Sequence, residues 1–469
     1  MENCKNGLIL RWKIVNAMLA RKLDHYIEFH YKHNRSALLL HGARQVGKTW
    51  AIRKYARNHD LELLEINFYE DASARLLFEN AHGADDVLLR LSAYAGRSLP
   101  RGRTLIFFDE VQKCPECVTM IKFLVEEGSY LYALSGSLLG IELKGMLRSA
   151  PVGFLDVKQV YPLDLEEFFL AVGVQPKIIE TVRKSWEDGT EVDTFIHQSL
   201  LRLVNLYLLV GGMPAVVQTY MDTRDMTAVQ RKQREIIALY QWDIAQYDPD
   251  GQLYIKEIFD LVPSQLNAKN KRFFMKELGE SSRFSLYENG FIWLKDAGCV
   301  LPVYNVDEPK CPLKLAEHRN LFKLFQNDVG LLACQYASGT ALRILSGETN
   351  INFGAIYENL AAQELRTHGF HLYYFNGKKQ GELDFLVEED DGPVPVEIKS
   401  GKDYTRHNAL RNILSVSDYG IKKAYVFCNA NVSSDGIIRY LPVYMLMFIS
   451  RQNDDDLTQI FVPDMSALQ

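Results

Sequence analysis

Residues Gly42 to Thr49 read Gly-Ala-Arg-Gln-Val-Gly-Lys-Thr, which satisfies the phosphate-loop template G-x-x-x-x-G-K-[ST] at every fixed position. The loop follows an apolar run, Ala37-Leu38-Leu39-Leu40, and opens a helix-favouring stretch from Trp50 to Arg57. That strand–loop–helix setting is what the motif requires. Gly42 and Gly47 let backbone N–H groups turn inward as an anion nest, with Ala43, Arg44, Gln45 and Val46 between them. The following helix adds its positive N-terminal end. Lys48 can then reach the β- and γ-phosphates, while the Thr49 hydroxyl can hold Mg²⁺. The residues therefore predict a nucleoside triphosphate site.

The 469 residues suggest roughly three domains at about 150 residues each. Hydrophobic residues make up 47% and charged residues 24%, ordinary for soluble globular protein. A net charge of −6 means that any nucleic-acid contact has to come from a local basic surface. Leu8-Ile9-Leu10 is too short for a signal peptide and is followed by Arg11 and Lys13. No apolar run approaches the roughly 18 residues that would span a membrane, so no membrane partner is expected. Seven scattered cysteines argue for reduced thiols and a cytoplasmic setting. Cys114-Pro115-Glu116-Cys117 has no second pair with zinc-site spacing, so it reads as a plain loop.

Apolar runs at Ala37–Leu40, Leu61–Phe68, Thr104–Phe108, Tyr130–Leu134 and Phe154–Tyr161 alternate with helical patterns such as Ile121–Glu126. This predicts an α/β domain over residues 1–163, with a mainly parallel sheet and helices on both faces. Asp164 is placed to cap a helix over Leu165–Val172, opening a helical region over 164–250 in which Pro214 starts a helix. Residues 251–345 read as winged-helix-like, with helices at Ile255–Leu261, Arg272–Leu278 and Ser285–Asp296 before an extended Cys299–Val306. Phe291, Leu294 and Lys295 on the third helix suit either DNA contact or an interdomain packing face. Residues 346–469 read as a compact α/β unit: helix Ala355–His368, strands Phe370–Phe375, Glu382–Glu388 and Val394–Lys399, helix Ala409–Ser415, strand Lys423–Cys428. Asp454-Asp455-Asp456 reads as an acidic surface run.

Leu105-Ile106-Phe107-Phe108 followed by Asp109-Glu110 has the form of a buried strand that delivers carboxylates to a phosphate site. Asp109 would orient the Mg²⁺ shell and Glu110 the attacking water. Tyr130–Leu134 ends in Ser135-Gly136-Ser137, where Ser137, with Ser135 close behind, could sense the γ-phosphate.

With these motifs the chain resembles an AAA+-type P-loop ATPase. More narrowly, Gly42–Thr49, Asp109-Glu110-Val111-Gln112, Tyr161-Pro162-Leu163, Gly211-Gly212-Met213-Pro214 and Phe322–Leu332 resemble a prokaryotic ATPase family whose C-terminal domain is of unknown function. The resemblance runs from about residue 20 to 440. It implies ATP as the nucleotide and a catalytic Glu on the central strand. It also allows subunit-shared sites and hence a homo-oligomer. Relatives often carry Arg or Lys after the Gly preceding strand five, where this chain has Gly153-Phe154. Arg148 or Lys144 would then have to supply the finger charge, worth about 10³–10⁵ in rate.

In the last region Asp384, inside Gly381–Val387, is followed on the next strand by Glu397-Ile398-Lys399, and Glu358 lies on the helix upstream. Glu397 and Lys399, two residues apart on a strand, project to one face. Carboxylates grouped this way suit Mg²⁺ or Mn²⁺, with Asp384 and Glu397 as ligands and Lys399 able to stabilise charge or activate water. The order of elements and of Glu358, Asp384, Glu397 and Lys399 resembles the PD-(D/E)xK nuclease superfamily. Lys378, Lys379, Lys402 and Arg406 could add phosphate contacts. The whole reads as an ATPase coupled to a nuclease-like domain acting on nucleic acid, DNA favoured. A nucleotide-dependent switch whose C-terminal domain binds without cutting is the other reading.

Overall fold

The computed structural model describes residues 19–137, 153–248, 254–268, 270–279, 284–336, 354–401 and 403–451. Lys144, Arg148, Lys402 and Asp454–Asp456 lie outside the described residues.

The chain enters through α1 (Lys22–His33), then β1 (Ala37–His41), α2 (Lys48–Asn58), β2 (Glu62–Asn67), α3 (Ala84–Ala95), β3 (Thr104–Asp109), α4 (Pro115–Glu127), β4 (Leu131–Gly136) and β5 (Leu155–Gln159). The five strands form one parallel sheet in the order β2-β3-β4-β1-β5. Every residue of β3 is buried, as its unbroken apolar run requires. Full burial of Phe107 or Phe108 stabilises by roughly 1.5–3 kcal/mol each. β4 is the central strand, and β3 lies beside it, which corrects the expectation of a central carboxylate-bearing strand.

The helical region follows as α5 (Leu165–Ala171), α6 (Pro176–Asp188), α7 (Thr194–Val210), α8 (Pro214–Thr223) and α9 (Met226–Tyr247). Asp164 caps α5 by accepting from Glu167 N–H at 2.9 Å, and the Glu167 carboxylate returns to Asp164 N–H at 3.2 Å. Pro214 stands in the first turn of α8, where its missing N–H costs nothing.

Next come α10 (Ile255–Asn267), α11 (Phe284–Asp296), β6 (Val300–Val306), β7 (Glu317–Gln326) and α12 (Val329–Cys334). The helix expected over Arg272–Leu278 is instead a single 3-10 turn at Met275–Glu277. Phe273 N–H bonds to Phe322 O at 2.9 Å and Arg272 bridges to Lys323, so sheet-edge pairing outcompetes helix formation there. The extended stretch Cys299–Val306, expected to follow three helices in a winged-helix-like region, contains β6, which pairs antiparallel with β7 and parallel with β8 (Tyr373–Gly377). Phe291 and Leu294 are buried, Phe291 against Phe273, Phe284 and Phe322, so packing is what they do.

Together with α13 (Gly354–Thr367), β8 leads into β9 (Gly381–Glu389), β10 (Gly392–Ile398), α14 (Asn408–Leu414), β11 (Ala424–Cys428), β12 (Ser433–Asp435) and β13 (Ile438–Pro442). The mixed eight-stranded sheet runs β12-β13-β11-β10-β9-β8-β6-β7. One apolar core extends from Leu23 through Phe107, Phe168, Tyr207 and Phe325 to Leu446, so the regions pack as a single body. Among the described residues no single helix is long and apolar enough to cross a membrane.

Candidate functional site

β1 ends into the loop Gly42–Gly47, and Gly47, left-handed at φ 96°, is the N-cap of α2. Gly42 has φ 145°, and a Cβ there would collide with the Val160 carbonyl. Lys48 is buried, and its Nζ donates to Gly42 O at 2.8 Å and Ala43 O at 2.9 Å. Burial pushes its ammonium down to about 8, against the pull of Glu110 and Asp109.

The parallel register sets Asn67 at the end of β2 beside Asp109 at the end of β3. Asp109 accepts from Thr49 Oγ1 at 3.1 Å, Asn67 Nδ2 at 3.3 Å and, on its other oxygen, Ser135 Oγ. Burial raises the Asp109 carboxyl, and the Ser135 hydroxyl opposes that rise. Glu110, at φ 57°, turns out of the strand and accepts from Gln112 Nε2 and from Ser137 Oγ at 3.2 Å. Ser135 and Ser137 thus divide between the two carboxylates: Ser135 holds Asp109 and Ser137 holds Glu110.

A cavity of about 740 Å³ opens over this end of the sheet, lined by Arg44, Lys48, Thr49, Asn67, Glu110 and Pro214 among others. Its size suits a nucleotide. Arg44 pairs with Asp243 of α9 at 3.0 Å, and Tyr240 OH donates to Arg44 O at 3.2 Å. Burial lifts Asp243 to about 6, with Arg44 opposing. Arg21 clasps the loop from behind, donating to Val46 O at 3.3 Å and Tyr161 O at 2.9 Å while pairing with Glu167 at 3.1 Å. Sequence reasoning missed Arg21, Asn67 and Asp243 because nothing local marks them. Gln112 stood within the quoted Asp109–Gln112 motif without a role. Phe154 lies beneath Lys122, whose Nζ is 5.4 Å from the ring centre. Cys114 and Cys117 are buried free thiols at the start of α4 rather than in a loop, because Pro115 begins the helix. Burial pushes the Cys114 thiol up to about 12.

In the second sheet, Glu358 of α13, Asp384 of β9, Glu397 of β10 and Lys399 just beyond it come together. Asp384 accepts from Ile398 N–H at 2.9 Å, and Glu397 pairs with Lys399 at 2.7 Å. Glu358 pairs with Lys271, and Lys323 of β7, fully buried, pairs with Glu382 at 2.6 Å. Burial, then Asp384, pushes Glu397 up to about 8 and raises Glu358 as well. Lys271 and Lys323 were not singled out from sequence, although Lys323 stands inside the quoted Phe322–Leu332 motif. Among the described residues, no group of three or more His, Cys, Asp or Glu is arranged to hold a metal ion. Asp384 and Glu397 therefore share a cluster without forming a finished coordination shell. One oxygen each of Glu358 and Glu397 is buried without a hydrogen-bond partner. Unpartnered carboxylate oxygens fit a hard divalent cation.

Residues 34–169 match the AAA domain family. Residues 201–341 and 353–446 match two families described as Domain of unknown function (DUF8612) and Domain of unknown function (DUF4143). No curated protein matches. Similar solved structures include the Walker-type ATPase PABY2304 of Pyrococcus abyssi, at TM-score 0.41 and 13% identity over 68% of this chain and 96% of that one. The Aeropyrum pernix ORC2 protein (ADPNP–ADP complexes) is similar at TM-score 0.36 and 11% identity over 72% and 93%. The Aeropyrum pernix ORC1 protein in complex with DNA is similar at TM-score 0.28 and 14% identity over 72% and 96%. The parallel sheet, the phosphate loop and the AAA match support a P-loop ATPase domain over residues 34–169, for which ATP is the implied nucleotide.

Proposed function

We propose that ATP turnover at the first site drives or gates a metal-dependent, nuclease-like C-terminal domain acting on nucleic acid, with DNA favoured. In this reading Lys48 contacts the β- and γ-phosphates, and the amides of Gly42–Gly47 cradle them. Thr49 and Asp109 hold Mg²⁺, Glu110 orients the attacking water, and Ser137 senses the γ-phosphate. The residues divide into an ATPase unit (1–163), a helical region (164–250), the region expected as winged-helix-like (251–345) and the nuclease-like unit (346–469). At the second site Asp384 and Glu397 would hold Mg²⁺ or Mn²⁺, with Glu358 and Lys399 beside them. The bound ion would supply Lewis-acid and water-activating chemistry. The observation that supports this most is the meeting of Glu358, Asp384, Glu397 and Lys399 in one cluster, with Glu358 and Glu397 buried and the other two half-buried.

The second reading is a nucleotide-dependent switch whose C-terminal domain binds without cutting. The lysine pairing of Glu358 and the unfinished coordination shell favour it. Cleavage of single- and double-stranded DNA and RNA with Mg²⁺ or Mn²⁺, with and without ATP, separates the two. Cleavage that is lost in Asp384→Ala and becomes ATP-independent or absent in Glu110→Gln supports the coupled nuclease. No cleavage under any condition would leave the switch.

A further inference from the structure

The inference here rests on reading the C-terminal carboxylates as a divalent-cation site, and it concerns what fills that site in this conformation. Glu358 and Glu397 are each only 3% exposed. Each has one oxygen held by a lysine and one with no partner. The two lysines have different origins. Lys399 follows Glu397 on the same strand, whereas Lys271 arrives from the segment between α10 and α11, 87 positions before Glu358.

That segment is strapped to the sheet edge. Phe273 N–H bonds to Phe322 O at 2.9 Å, Arg272 bridges to Lys323, and Phe274 N–H bonds to the Gln265 side chain at 3.1 Å. The Phe273 ring packs on Phe291 and Phe322, at centroid distances of 5.2 and 6.1 Å. The strap delivers an ammonium into direct contact with a buried carboxylate whose other nearby counter-charge is Lys323 of β7, and losing either partner of the contact leaves a buried charge less compensated. Lys323 pairs with Glu382 and also faces Glu358, and Lys399 pairs with Glu397. Lys271 is therefore the one lysine of the three that reaches the cluster from outside the sheet. Withdrawing Lys271 removes one positive charge from a cluster of four carboxyl groups and three lysines, which a divalent ion can replace.

We propose that Lys271 is a tethered cation that occupies these carboxylates in place of a divalent metal, so that the C-terminal site stays closed until the 270–274 strap lifts. Metal and lysine then compete for the negative charge of one carboxylate cluster, Lys271 through Glu358 and the metal through Asp384 and Glu397. This is consistent with the absence, among the described residues, of a preassembled three-carboxylate metal group.

The test titrates Mn²⁺, without nucleotide, into the full chain and follows free Mn²⁺ by electron paramagnetic resonance. Lys271→Met, which keeps the aliphatic stem, should bind Mn²⁺ at least about tenfold more tightly than the unchanged chain, Lys271→Arg should not, and adding Asp384→Asn to Lys271→Met should remove the gain. A second readout needs no variant: saturating Mn²⁺ should accelerate hydrogen exchange at the Phe273 amide. If Lys271→Met binds Mn²⁺ no more tightly and Phe273 exchange is unmoved while Mn²⁺ still binds through Asp384, Lys271 is a structural pin and the cation site survives. If Asp384-dependent binding is missing from every variant, the cation-site reading falls along with the tether.

Discussion

Lys48 is buried against Gly42 O and Ala43 O, and burial holds its ammonium near 8 rather than the usual range above 10. Nucleotide phosphates entering the loop favour the charged form, so ATP binding at pH 8.5 should take up roughly three-quarters of a proton. Calorimetry in two buffers of different ionisation enthalpy measures this, and equal heats in both would exclude it. Affinity should correspondingly fall as pH rises above about 8, because the free loop then loses the proton that the phosphates need. Lys48→Ala should weaken ATP binding on the order of 10²-fold, the scale of a lost charged hydrogen bond, as read with a fluorescent ATP analogue. These residues were legible in sequence because the phosphate-loop spacing is itself the geometry. Asn67, by contrast, reaches Asp109 only through the register of β2 on β3.

At the level of elements, three sequence motifs that looked independent meet in one buried junction. Asp328 caps α12, and its carboxylate accepts Gly212 N–H at 2.6 Å and Leu331 N–H at 2.9 Å. Leu163 N–H donates to Gly212 O at 2.7 Å. A Cβ at Gly212 would strike the Leu163 backbone, one at Gly211 would strike Asp328, and one at Gly330 would strike Val210 O. The Tyr161–Leu163, Gly211–Pro214 and Phe322–Leu332 motifs are thus one lock between the ATPase sheet, α7 and α12. Gly212→Ala should lower the melting temperature by many degrees, whereas Gly401→Ala, with nothing within 4 Å of its Cβ, should change it little. Burial lifts Asp328 to about 6, against about 3.9 in an unfolded chain. The folded state therefore binds more protons between about pH 4 and 6, and this residue's contribution to stability falls as pH rises through that window. Asp328→Asn places an N–H₂ among N–H donors and should cost about 1–3 kcal/mol in urea unfolding. The cost should be larger at pH 4.5 than at pH 6.5, and a pH-independent cost would contradict the assignment.

Across the whole molecule, hydrogen bonds connect the two sites. Arg44 O accepts from Tyr240 OH, which accepts from Asn327 Nδ2 at 3.3 Å. The neighbouring Gln326 N–H bonds to Asn359 Oδ1 at 2.8 Å, one residue from Glu358. Spatial continuity alone does not establish coupling, so the route is tested by exchange. A non-hydrolysable ATP analogue should slow amide exchange around Asn359 in the unchanged chain. In Tyr240→Phe that slowing should be confined to the phosphate loop and α2. Equal slowing in both would rule out the Tyr240 route.

Legible from the residues alone were the parallel sheet, the phosphate loop, Asp109-Glu110 and the order of Glu358, Asp384, Glu397 and Lys399. Each of these is encoded in local periodicity or spacing, which short-range sterics and burial convert directly into structure. Tertiary structure alone decided that β6 and β7 extend the second sheet, that residues 271–274 form a strap rather than a helix, and that Lys271 meets Glu358. Those outcomes depend on pairing energies between segments far apart in the chain, which no window of sequence contains. The same holds for Arg21 and Asp243: each is an ordinary charged residue until packing removes its water and leaves one partner within reach.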